Sequence, residues 1–136
     1  MPKLPLSIAL PVLAILTAPA APAAAAEPDW SHAARVEVQL SSFKFTPATI
    51  HLRAGQPVLL HLVNAGSGGH DFTARDFFAA AAVRGGDAAL VHDGSVSLGG
   101  HQSRDIALVP PAGHYALKCT HAFHRMMGMA GEIVVD

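Results

Sequence analysis

Three features of the chain predict an all-β fold, a Greek-key β-sandwich of about seven to eight strands with one short helical insertion. Short segments alternate polar and apolar residues with the period of two that half-buries a strand. Turn signals built from Gly and Pro punctuate them at short intervals. Beyond residue 26, the alanine-rich stretch 75–83 is the best helix candidate, and no internal repeat or second domain is visible.

The first 26 of the 136 residues read as a cleaved signal peptide rather than as part of the fold. Lys3 gives a positive start, an apolar run follows, and Ala24-Ala25-Ala26 offers small residues for cleavage ahead of Glu27. Pro5, Pro11 and Pro19 interrupt a run already short of the ~20 residues a membrane span needs. No cysteine stands at the cleavage point to carry a lipid. The product is therefore expected in the periplasm or outside the cell, with no stable membrane insertion. Residues 27–34 read as a flexible leader, and 35–136 as one domain with a modest core.

Within that domain, Arg35 to Leu40 would set Val36, Val38 and Leu40 on one face of a sheet. Thr49 to Leu52 and Pro57 to Val63 are the next strands, split by the turn Ala54-Gly55-Gln56-Pro57. A glycine-rich loop, Asn64 to Gly69, precedes an extended segment from His70 to Thr73. Arg75 to Val83, carrying Phe77 and Phe78, is the helix expected to lie on the sandwich, with Gly85-Gly86 ending it. Ser95 to Leu98 and Arg104 to Val109 alternate again across Gly99-Gly100. Pro110 to Gly113 turns into His114 to Lys118, and Gly131 to Val135 is the last strand.

The chemistry concentrates around Cys119, the sole cysteine. One thiol cannot form an internal disulfide, and in an oxidising compartment it is a liability unless a metal occupies it. The run Cys119-Thr-His-Ala-Phe-His124-Arg-Met-Met-Gly-Met129 places a thiol, an imidazole and a thioether at the spacing Cys-x4-His-x4-Met. A second imidazole, His70, follows the glycine-rich loop far upstream. Two His, one Cys and a weakly held Met are the donors of a blue-copper electron-transfer site. His70, Cys119, His124 and Met129 are thus the candidate metal ligands, for one copper ion cycling between Cu(I) and Cu(II). The remaining histidines are dispersed, so their number alone supports nothing specific. His121 is the rival, since Cys-x-His-x2-His could chelate alone; Met126 and Met127 are the rivals of Met129.

The chain resembles the cupredoxins, the plastocyanin, azurin and pseudoazurin superfamily, over nearly all of residues 27–136. The resemblance rests on Phe45-Thr-Pro-Ala-Thr-Ile50, Ala54-Gly55, Val58 to Asn64, Tyr115-x3-Cys119, and His124 through Met129 to Ile133. It implies a Greek-key sandwich, one-electron transfer, and the same four ligands. Many members of the superfamily have two residues between the Cys and the second His; this chain has four between Cys119 and His124, as in the azurin-like branch. Asp71 stands where plastocyanin-like members often carry an Asn that braces the residue after the Cys. It could accept a hydrogen bond from Thr120 while adding negative charge near the metal.

The expected function is a small electron carrier that docks redox partners transiently near His124, through an apolar rim of Phe123, Met126 and neighbours. An exported copper carrier that delivers or buffers Cu(I) is the alternative, and a cupredoxin-like interaction module is a further class. The formal charge of −1 and the lack of a basic patch argue against nucleic acid as a partner. The chain has no second ligand set and no recognisable Cys–His hydrolase partner, so no enzyme is expected. A monomer is expected.

Overall fold

The computed structural model describes residues 1–5, 14–22 and 26–136, apart from the side chains of 122 and 125. The expected signal peptide includes 6–13 and 23–25, which lie outside the described residues. Ten strands form two five-stranded sheets around one core. They are β1 (Ala34–Ser41), β2 (Lys44–Thr46), β3 (Thr49–Leu52), β4 (Val58–Asn64), β5 (His70–Thr73), β6 (Ala82–Val83), β7 (Ser95–Leu98), β8 (Ser103–Val109), β9 (Gly113–Lys118) and β10 (Ala130–Val135).

One sheet runs β2-β1-β4-β8-β6 and the other β3-β10-β9-β5-β7. Most pairings are antiparallel, but β1 lies parallel to β4 and β3 parallel to β10. Only β1–β2 and β9–β10 are both consecutive and adjacent; the other connections cross between the sheets. Those crossings make the sandwich and bring the ends of distant strands together at one edge.

Alternation explains the core. In β4, Val58, Leu60, Leu62 and Asn64 point inward while Leu59, His61 and Val63 are half-buried. Phe45, Phe72, Phe77, Leu40, Leu108 and Leu117 fill the space between the sheets. Asn64, a polar residue at the last inward position of β4, breaks the apolar pattern where the metal-candidate loops begin.

The helix α1 is shorter than composition suggests, running Arg75–Ala80. Its alanines give it little stability alone at that length, and Val83 does better in the sheet. There β6 pairs with β8, Val83 opposite Leu108. The expected packing role holds: Phe77 and Phe78 are buried, Phe78 edge-on to Phe72 and Phe77 edge-on to Tyr115. Gly85-Gly86 does not end this helix. It opens a 3-10 turn, Gly85–Leu90, tied to the sheet by Asp87, which pairs with Arg84 and accepts from the Ala107 amide at 2.9 Å.

Two strands escaped the sequence reading, β2 and β6, each too short to show alternation. The expected flexible leader is also partly ordered. Residues Trp30–His32 form one 3-10 turn, Trp30 lies under the Arg84 guanidinium, and Ala34 already belongs to β1. Between Cys119 and Met129 lies a second short helix, α2 (Ala122–Met126), where a plain loop was expected. No helix among the described residues is long and apolar enough to cross a membrane.

Candidate metal centre

Three of the four candidate ligands come together at one edge of the sandwich. One donor atom each from His70, Cys119 and His124 lies within 4.8 Å of the others. His70 opens β5, Cys119 follows β9, and His124 sits in α2. The mid-chain imidazole meets the C-terminal loop because β5 and β9 are neighbours in one sheet, Thr73 opposite Lys118. Met129, 1% exposed, is brought beside Cys119 through the backbone. Its carbonyl accepts from the Cys119 amide at 3.1 Å, and its own amide donates to the His124 carbonyl at 3.0 Å. Gly128, at φ 77°, takes the left-handed turn that makes this closure possible.

Beneath the loop, Gly131 lets β10 approach the β2–β3 connection. A Cβ there would lie 2.4 Å from the Ala48 carbonyl oxygen. The loop that delivers His70 is held as firmly. The Asn64 side chain donates to the carbonyls of Gly68 at 2.8 Å and Gly99 at 2.9 Å, and accepts from the Gly66 amide at 2.9 Å. Asn64 was missed as a site-building residue; its only sequence signal was a polar side chain at an inward strand position.

Asp71 is the other organiser, and it is buried. It accepts from the Thr120 amide at 2.9 Å, the Thr120 hydroxyl at 2.8 Å and the Thr73 hydroxyl at 2.6 Å. The brace expected between position 71 and Thr120 is therefore present, made by a carboxylate. That carboxylate is also 3.8 Å from the Cys119 sulfur. Burial, with the Asp71 charge adding to it, pushes the Cys119 thiol above its ordinary value. A thiolate beside a buried carboxylate needs a cation between or near them.

The imidazoles form a graded stack. His70 is buried, and its ring lies 4.3 Å from that of His124. His124 is half-buried and lies 5.3 Å from His121, the two rings nearly parallel at 10°. His121 is 47% exposed, with Nε2 3.6 Å from Asp71, and stands outside the converging set. Burial, then repulsion from His124 and His121, lowers the His70 pKa, so its imidazole favours the neutral, ligating form. His70 Nδ1 is buried and has no hydrogen-bond partner among the described residues. A buried polar atom without a partner is costly and calls for an explanation. A metal ion coordinated by Nδ1 supplies one, and the thiol, imidazole and thioether donors suit copper. The residues fit that ion.

Toward solvent, Phe123, Met126 and Met127 are exposed at 63%, 83% and 54%. Phe43, unforeseen in the sequence, adds to this face from the β1–β2 hairpin. It adopts a left-handed φ of 65°, unusual for an aromatic residue, and sets its ring edge-on to both Phe123 and His124. The exposed histidines His92 and His101 lie at turns.

Comparison with known proteins agrees with this architecture. The model of the cupredoxin-like domain matches residues 6–135. Dithionite-reduced auracyanin from Roseiflexus castenholzii superposes with a TM-score of 0.58 at 17% identity, over 76% of this chain and 98% of that one. Auracyanin B gives 0.56 at 19% identity, over 83% and 93%. Auracyanin A from Chloroflexus aurantiacus, described as a blue copper protein, gives 0.51 at 18%, over 75% and 99%. At these identities the likeness is one of fold. No curated protein matches the chain. With the family match spanning nearly its whole length and the sandwich carrying the same overall shape, the chain belongs to the cupredoxin-like domain family.

Proposed function

We propose that this protein is a one-electron carrier holding a single copper ion through His70, Cys119, His124 and Met129. The observation that carries the reading is the convergence of a buried imidazole, whose Nδ1 has no hydrogen-bond partner among the described residues, with the thiol and the second imidazole. Bound copper supplies the redox chemistry by alternating between Cu(I) and Cu(II). The chain supplies a rigid setting. Asn64 and Asp71 hold the two ligand-bearing segments in place, and a fixed geometry keeps the rearrangement between oxidation states small. Burial of Cys119 and Met129 excludes water, and Asp71 places negative charge close by, which favours the higher oxidation state.

His124 is the port: its half-buried ring lies under an apolar rim of Phe43, Phe123, Met126 and Met127. That rim suits brief docking of redox partners, which need fast release more than tight binding. Residues 1–26 act as a cleaved export signal, and the mature domain works in the periplasm or outside the cell.

Titration of the purified protein with Cu(II), followed by voltammetry, tests this. An intense visible thiolate-to-copper band saturating at one ion per chain, with a reversible one-electron wave, is expected. The band should be lost in Cys119→Ser. A colourless product, or a wave that does not reverse, would overturn it.

A further inference from the structure

We propose that His121 is a capture ligand, which takes copper from solution and passes it to the buried donors without belonging to the final set. The inference rests on the proposed copper site above. Its starting point is an access problem. Cys119, Met129 and His70 are all buried, so a hydrated ion cannot meet them without first losing water. Stripping water from a cation with no replacement ligand is expensive. A wet donor at the margin of the site, close enough to share the ion with an inner ligand, removes that barrier.

His121 meets each requirement. Its imidazole is about half exposed, its ring stands parallel to that of His124 at 5.3 Å, and His124 in turn lies 4.3 Å from His70. The three rings thus descend from solvent to core in short steps, so an ion captured at His121 would have the His124 imidazole as its neighbour and the His70 imidazole beyond it. The Asp71 carboxylate, 3.6 Å from His121 Nε2, adds an attraction for an arriving cation at the outer end. The last exchange forms the bond to Cys119 sulfur, and the thiol proton leaves to solvent. No change of oxidation state is involved.

Stopped-flow mixing of the metal-free protein with Cu(II) sulfate tests the proposal by the growth rate of the visible band. His121→Ala should load about tenfold more slowly, the low end of the loss seen when an outer partner of a metal site is removed. Its final absorbance per copper should match the wild type, and added free imidazole should restore the rate. His121→Phe keeps a stacking ring but no nitrogen, and should be equally slow. Loading at the wild-type rate in either variant would overturn the proposal. So would an altered final spectrum, which would make His121 a resident ligand. If the wild type itself forms no band at equilibrium, the proposed copper site fails, and this inference with it.

Discussion

His70 and His124 face the same point from walls of different construction. The His70 wall is a loop tied down by one buried side chain, Asn64, and pressed so closely against the β7–β8 connection that a Cβ on Gly100 would lie 2.1 Å from the Ser67 carbonyl oxygen. The His124 wall is a short helix carried between two backbone hydrogen bonds to Met129, with its large apolar residues turned to solvent. The difference separates two demands on one site. On the proposed function, the fixed wall would set the ligand geometry and the open one would offer contact to partners.

Cutting the fixed wall should have the largest effect. Asn64→Ala strands the carbonyls of Gly68 and Gly99 and the Gly66 amide, and should cost about 2–3 kcal/mol by denaturant unfolding of the metal-free protein. Next is the brace shared by both walls. Asp71→Ala should cost about 2 kcal/mol, since hydrogen bonds to a charged group are the stronger kind. Asp71→Asn should cost less and raise the reduction potential, because the negative charge disfavouring Cu(I) is gone. An unchanged potential would show that this carboxylate is not felt at the metal.

On the open wall, Met126→Ala should change stability by no more than about 0.5 kcal/mol, as for an ordinary surface position. It should still slow electron self-exchange, measured by NMR line broadening of mixed oxidation states. The smallest expected effect is on pH dependence. The His70 pKa lies below 6.5 in the fold, so the native metal-free protein binds fewer protons than the unfolded chain in the window beneath that value. Its stability should fall as pH drops through that window. The Cys119 value lies above 9.0, so its contribution is present below that pH and is lost as pH rises through the elevated value. Unfolding midpoints across pH should show a plateau between the two.

Much of this was legible in the residues. Every strand longer than three residues was located, β1, β7 and β8 by period-two alternation and the rest by apolar or extended runs between turn signals, and the spacing of Cys119, His124 and Met129 pointed to a soft metal site. What stayed hidden depended on contacts distant in sequence. The strand β6 exists because β8 offers its edge, against the helical tendency of an alanine-rich run. Phe43 reaches His124 only because a hairpin from the other sheet folds over the loop. Asn64 shows its role only when the carbonyls of Gly68 and Gly99 surround it, thirty-odd residues apart in the chain. The α2 turn lacks the apolar periodicity that would mark it, since Phe123 and Met126 face outward.

The most direct test is a crystal structure of the copper-loaded protein. It should hold one copper bound by the sulfur of Cys119 and the imidazoles of His70 and His124, with the Met129 sulfur as the weakest of the four donors. Copper held by His121 in place of His70, or lying beyond the reach of His70, would contradict the account.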